Sequence, residues 1–512
     1  MKNRFNRFLC MLLALVMLCG TGLMVACADE EQKDPLDDPQ TTDPDNTKDP
    51  DEKDPEEVVR LPIDYLPEET YGGTEIHVLE WTVNDVPHLR VPWEEIDVDA
   101  QTGVLLEDAI FDRNATVEEK FDVEITKEYV DINGSPNYNS VVRSNEQTGD
   151  QRFQMMTLIT ARIAPYCMED LMHNMYELEN LHTDMPWWNQ QSVHSYTIGN
   201  ALFFAAPEML LRDKGATATV LFNQTIAKNY ELPDLYSLVE SGDWTWDELL
   251  SMTETVKGDL DGDDVISSAE DMFGFTGGTA DIPYFLFTGT GMKFGTMDDA
   301  GYLEMTFGQD ENYVSAWQEI LDMFMYTDGY YGYAVDGNLI PANFDPFQTD
   351  HTLFQFDLVR IVVALRNMQS DYGFLPIPKY DASQEEYASL VWMHHDSVLG
   401  IPGSVTNTDV VSAVLEYMSY LSYYDIYPVF YETILADRST RDEKSKEMLE
   451  LIFRTRTFDP GHYWLEYELH NAHSFLTLFT DKTSNIASLW ASLKGKAEQK
   501  VEEFNERVDE MS

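Results

Sequence analysis

Gly103–Val123 reads G-V-L-L-E-D-A-I-F-D-R-N-A-T-V-E-E-K-F-D-V. Leu105, Ala109, Ile110 and Val117 recur near helical spacing, which predicts a helix over 103–120. Before it, E-I-H-V-L-E-W (Glu75–Trp81) alternates as a short strand, with Ile76, Val78 and, less cleanly, Glu80 on one face. After it, F-D-V-E-I-T-K (Phe121–Lys127) alternates as a second strand. A strand–helix–strand opening followed by mixed elements predicts α/β architecture. Further along, T-W-D-E (Thr245–Glu248) has the form of a capping box opening a helix through Val256. Near the end, Ile486, Leu489, Trp490, Leu493, Ala497, Val501, Phe504 and Val508 mark one face of a long amphipathic helix.

Outward from this body, the N-terminus changes character twice. Lys2, Arg4 and Arg7 precede a nearly unbroken apolar run, Phe8–Val25, the layout of a secretory signal over residues 1–26. L-M-V-A-C (Leu23–Cys27) resembles the lipobox of bacterial lipoproteins, with Met24 at the position that usually holds Leu. That resemblance implies cleavage before Cys27, a diacylglycerol on its sulfur, and a chain held at the outer, extracellular face of the cell membrane. Cys10 and Cys19 leave with such a signal, so Cys167 remains alone and no intramolecular disulfide is expected. Residues 27–58 then form an acidic tether: Ala28–Glu57 carries nine Asp, five Glu and three Lys, with prolines at 35, 39, 44, 50 and 55. Such a segment has too little apolar surface to offset the entropy of ordering and is expected to stay extended and disordered.

The chain has 512 residues, a net charge of −59 and 43% hydrophobic content, 12% aromatic. A body of this length exceeds one ordinary core and is expected to divide into lobes. Its acidity argues against nucleic acid or anionic headgroups as partners, both being polyanions, and leads to the expectation of a neutral or cationic ligand. Neither H-E-x-x-H nor G-x-S-x-G occurs, so no catalytic motif stands out. The sharpest local pattern is D-L-D-G-D-D-V-I-S-S-A-E (Asp259–Glu270). It matches a calcium loop of the EF-hand or dockerin kind, with Asp259, Asp261, Asp263, the Val265 carbonyl, Ser267 and Glu270 at ligand positions 1, 3, 5, 7, 9 and 12. A structural calcium ion is therefore expected. Position 6, normally Gly, is Asp264, which tolerates left-handed backbone better than most residues.

Several strings, in this order, resemble one known family: the Gly103 stretch, P-W-W-N from Pro186, L-F-N-Q-T-I from Leu221, G-D-W-T-W-D-E-L from Gly242, G-F-L-P-I-P-K-Y from Gly373 and R-D-E-K-S-K-E-M-L from Arg441. The family is the large, sugar-associated group of extracellular solute-binding lipoproteins of bacterial ABC importers. The resemblance implies a two-lobed periplasmic-binding-protein-like clamshell of the class II type, with discontinuous lobes and a hinge. Lobe one would be 59–205 plus 375–428, and lobe two 206–374 plus 429–512. Crossings would fall near 203–222, 373–398 and 423–433. The implied function is capture of a small solute, a sugar or oligosaccharide, by a non-enzymatic monomer that delivers it to the importer's permease subunits. By family position the ligand candidates are Trp81, Asn84, Trp187, Trp188, Asp357, Trp392, His395 and Asp396. Aromatic faces suit a pyranose, and carboxylates, amides or Arg suit its hydroxyls. Two readings remain beside this one: a surface glycan adhesin without an importer, which the same clamshell and tether would serve, and a glycoside hydrolase, since carboxylate pairs are plentiful.

Overall fold

Strand β1 (Thr74–Thr82) pairs in parallel with β2 (Val123–Asp131), from Thr74 opposite Val123 to Thr82 opposite Asp131, and the helix Leu105–Phe121 is the crossover. That helix buries Leu106, Ile110, Val117 and Phe121 and ends at Asp122 in left-handed conformation (φ 50°). The computed structural model describes residues 60–83, 93–266, 270–278, 281–327, 329–333, 346–435, 443–465 and 485–511. No described helix is long and apolar enough to cross a membrane.

Two principal sheets organise these residues. In the first, β3 (Met155–Leu158) joins β1 in parallel and β12 (Val398–Gly400) closes the edge antiparallel to β3, giving the order β12-β3-β1-β2. In the second, β4 (Ala218–Asn223), β5 (Phe273–Gly278), β8 (Tyr330–Tyr333), β9 (Thr352–Leu358) and β10 (Tyr372–Leu375) take the order β10-β4-β9-β5-β8. Strands β3, β4, β5 and β10 are buried at every residue, so β3, β4 and β10 carry no hydrophobic–polar alternation in the sequence. Smaller ribbons pair β6 (Gly295–Met297) with β7 (Leu303–Met305), and β11 (Ser389–Leu390) with β13 (Arg456–Thr457).

The chain passes from the first sheet to the second between β3 and β4 and returns between β10 and β12. Ala205 bridges Leu399 and Thr217 bridges Val391, so these two passages run antiparallel against each other. The third passage is helical. Thr408–Leu421 packs on the helix Leu105–Phe121, and Glu443–Arg454 packs on β10. Between them Ser422–Ile426 winds into a π-turn just before Pro428, whose ring and missing N–H disturb the preceding turn.

Charge is buried beside these passages. Lys214 Nζ lies 2.7 Å from Glu208, and Arg456 reaches Asp213 at 2.6 Å and Glu208 at 3.2 Å. All four residues are under one-tenth exposed. Next to them Arg212 contacts Glu80 at 3.1 Å and Glu95 at 3.2 Å. Glu80, read from alternation as one member of a strand face, is fully buried because Arg212 is there to receive it. The capping box is not formed as expected: Thr245 makes no side-chain cap, and its backbone instead bridges Lys379 in parallel. The helix itself runs Trp246–Val256.

Candidate functional site

A cavity of about 550 Å³ opens where β3 ends. After Leu158 the chain makes a single 3-10 turn, Thr160–Arg162, and then a short helix, Ala164–Met168, with Pro165 in its first turn. This places Ala161, Arg162, Tyr166 and Glu169 along one wall, with Asn139 beside them. The opposite wall comes from two elements late in the chain. The helix Pro460–Trp464, capped by the Asp459 side chain on His462 N, supplies Tyr463 and Trp464. The helix Ile486–Met511 supplies Lys500 and Phe504, the latter packed on Trp464 at 5.1 Å between centroids. The volume lies within the range of small-molecule pockets. A second cavity, about 340 Å³, lies beside Trp93, Val362 and Ile434 and is lined mainly by apolar side chains.

Behind the larger cavity the segment 391–397 is locked onto the turn after β3. Asp396 accepts from the Thr160 N–H at 2.9 Å and from its hydroxyl, and the Ala161 N–H donates to the Met393 carbonyl at 3.1 Å. Trp392 then centres an aromatic cluster, 5.5 Å from Tyr284, 5.4 Å from His394 and 5.2 Å from His462, with Tyr284 stacked on His462 at 5.1 Å. Burial, aided by the Arg162 charge, pushes His394 down to about 4. Burial and the neighbouring His394 push His462 down to about 3. Both rings are therefore neutral at pH 7 and serve as apolar surface with hydrogen-bonding edges. Burial lifts the Asp396 carboxyl to about 7. Asp281, at the start of the helix Ile282–Gly289, also rises to about 7, through burial and then the Asp357 charge, with Arg360 opposing.

Of the residues expected from sequence, Trp392, His395 and Asp396 come together in this segment, His395 donating its backbone N–H to the Trp392 carbonyl at 3.0 Å. Trp81, at the end of β1, joins them by donating its indole N–H to Ser397 at 3.4 Å, and Arg212 covers its ring at 5.0 Å. Asp357, at the end of β9, accepts from Gln355 at 3.2 Å. Trp187 and Trp188 are engaged elsewhere, donating to Glu416 at 2.8 and 2.9 Å. None of these seven side chains lines the larger cavity; Trp392 and Asp396 form the layer behind it. Asn84 and Ser267 lie outside the described residues. Arg162, Tyr463, Trp464 and Lys500, which do line it, were not singled out from sequence. The signal for Arg162 was available: the apolar run M-M-T-L-I that ends just before it is the mark of a fully buried strand, whose C-terminal end borders a ligand crevice in open α/β sheets.

In the acidic loop, Asp259, Asp261 and Asp263 bring one carboxylate oxygen each within 4.8 Å of one another. Asp259 also accepts from the N–H groups of Gly262 (2.6 Å) and Asp264 (2.8 Å), and Asp263 accepts from Val265 N at 2.8 Å. Asp264 adopts φ 67°, the left-handed turn that position 6 of such a loop requires.

No protein-family model matches the chain, and no curated protein matches it by sequence. Solved structures do match. An ABC substrate-binding protein of Listeria monocytogenes in complex with cycloalternan is 10% identical, with a TM-score of 0.51 over 86% of this chain and 99% of that one. UspC of M. tuberculosis is 14% identical, with a TM-score of 0.55 over 83% and 100%. An ABC transporter solute-binding protein of Thermotoga lettingae, bound with alpha-D-tagatose, is 11% identical, with a TM-score of 0.52 over 84% and 100%. The architecture is therefore that of the periplasmic binding proteins that serve ABC transporters, mixed α/β throughout.

Proposed function

We propose that the protein is a non-enzymatic solute-binding lipoprotein that captures a carbohydrate and presents it to the permease subunits of an ABC importer. The observation that carries this is the cavity itself: aromatic rings and N–H donors gathered at the end of β3, within a fold whose matched structures include sugar complexes. The two sheets are taken as the cores of lobes 59–205 plus 375–428 and 206–374 plus 429–512, hinged at the three passages. Closure around solute then makes the surface the permeases meet. A saccharide that fits should raise the melting temperature by binding linkage, by about 2.7 kcal/mol of stabilisation at 100 times its Kd, and should be recovered unchanged. Trp464→Ala should weaken it about tenfold by removing an aromatic face. Release of reducing ends would identify a hydrolase instead, and retention of insoluble glycan without any soluble ligand an adhesin.

Two attachments belong to the same proposal. Cys27 carries the lipid and residues 27–58 the tether, so a Cys27→Ala variant should leave the membrane fraction; its retention there with unchanged detergent partitioning would rule out the thioether. Calcium occupies the loop Asp259–Glu270, with Asp259, Asp261, Asp263, the Val265 carbonyl, Ser267 and Glu270 as ligands, a reading supported by the converging carboxylates and the left-handed Asp264. Calcium should raise the melting temperature by a few degrees, more than magnesium, which demands a tighter octahedron. Asp259→Ala should abolish the difference. Calorimetry without heat of binding at millimolar calcium would remove the ion from the account.

A further inference from the structure

The charges around the larger cavity run against the charge of the chain. The sequence carries −59 overall, yet among the described residues the cavity presents two cations, Arg162 and Lys500, and a single carboxylate, Glu169. That carboxylate is already committed. Arg143 grips it with both guanidinium nitrogens, one at 2.7 Å, and this pairing holds the Glu169 carboxyl below its ordinary value. Asn139 and Tyr166 are the other side chains on that wall with acceptor oxygens, and Asn139 has its oxygen engaged by Arg143 Nε at 2.9 Å, so its amide N–H groups are what it offers the cavity.

The donors, by contrast, are weakly engaged. Arg162 donates only to neutral oxygens, Asn133 Oδ1 at 3.2 Å and the Ile132 carbonyl at 3.4 Å, and forms no ion pair among the described residues. Lys500 has one exposed partner on its own helix, Glu503 at 3.3 Å, a contact of little strength. The Trp464 indole N–H is buried, 4% of the residue being exposed, with no hydrogen-bond partner among the described residues, and a buried unmet donor costs about 1–3 kcal/mol. The cavity therefore offers N–H groups and positive charge, while its carboxylate and the Asn139 oxygen are in use. A neutral sugar, whose hydroxyls each need to donate as well as accept, leaves that supply unbalanced. A carboxylate, which only accepts and pairs with a guanidinium in a planar fork, balances it.

We propose that the solute is an acidic saccharide, a hexuronic acid or an oligosaccharide containing one, with its carboxylate held by Arg162 and its ring against the aromatic wall of Trp464 and Phe504. This rests on the solute-binding reading above and names the class of solute. Lys500 adds charge at the rim, and the surrounding acidity of the protein leaves Arg162 as the specific attraction within a generally repelling field.

The test compares matched pairs on the full chain by calorimetry and melting temperature: galacturonate with galactose, glucuronate with glucose, and trigalacturonate with its methyl-esterified form. The acid of at least one pair should bind ten or more times tighter than its neutral partner. Arg162→Met should collapse that ratio toward one, while Arg162→Lys keeps part of it, lacking the fork. The unliganded melting temperature of each variant, expected near wild type because Arg162 is exposed, separates lost recognition from lost fold. Neutral sugars binding as well as or better than the acids would overturn the acidic assignment and leave the solute-binding reading standing. No binding by either class would sink both. An acid preference that survives Arg162→Met unchanged would also overturn the assignment of Arg162.

Discussion

Arg456→Met should cost about 3–5 kcal/mol, the usual penalty for leaving a buried ion pair half-made, and lower the melting temperature by roughly 5 °C. Arg456 is 3% exposed and joins Asp213 and Glu208, which lie on the passage between β3 and β4, to β13. Burial alone would lower its guanidinium, but Asp213 and Glu208 more than reverse that. Burial also raises Asp213, against the pull of Lys214 and Arg456, while the same two cations hold Glu208 below its ordinary value despite burial. Methionine would leave two buried carboxylates facing Lys214 alone. The pH dependence follows. In the wild type the depressed Glu208 contributes stability above the ordinary carboxylate range and loses it as pH falls. In the variant the carboxyls, buried with too little positive charge, take folded-state values above their unfolded ones, so the variant loses stability as pH rises through that interval. The difference between the two proteins should therefore be larger at pH 8 than at pH 5. Melting curves at the two pH values give the answer, and an equal difference at both would mean that Arg456 acts only by packing.

This network marks where sequence reasoning reached its limit. The strand–helix–strand unit of Glu75–Lys127 was legible because its helix and the start of each strand have one buried face, and a half-buried element writes its period into the sequence, although β1 is buried on both faces from Val78 to Trp81. The helix Ile486–Met511 was legible for the same reason, with Ile486, Trp490, Ala497, Phe504 and Val508 buried as the spacing implied. Strands β3, β4 and β10 were not, since a strand buried on both faces has no period to read. The R-D-K string of Arg212–Lys214 looks like an exposed turn, yet all three side chains are buried. Their counter-charges come from Glu80, Glu95, Glu208 and Arg456, as much as 243 residues away in sequence, and nothing local announces them. The cavity suffers the same way. Arg162 and Trp464 approach only after the chain has passed between the sheets three times, so neither residue looks unusual beside its own neighbours.

Glu416→Ala is expected to have the second large effect, about 3–5 kcal/mol, and it bears directly on the tandem tryptophans. Glu416 is fully buried and takes four donors: the Tyr65 hydroxyl at 2.6 Å, the indoles of Trp187 and Trp188 at 2.8 and 2.9 Å, and the His182 N–H at 3.3 Å. Burial raises its carboxyl above the ordinary value, and the side-chain donors oppose the rise. Alanine removes every acceptor at once. Each stranded donor costs about 1–3 kcal/mol, moderated where Tyr65, the most accessible of the side-chain donors, turns toward water. Glu416→Gln keeps one acceptor oxygen but points an amide N–H₂ at a second set of donors, so it should recover no more than half of the loss. Trp188→Phe, which keeps the ring and deletes one donor, should cost about 1 kcal/mol. The sequence offered Trp187 and Trp188 as platforms for a sugar, and the two accounts diverge in binding. If the indoles serve Glu416, Trp188→Phe measured well below its melting point binds solute as wild type does, because neither ring lines the cavity. A tenfold loss of affinity in that variant, with the melting temperature nearly unmoved, would return Trp188 to the ligand.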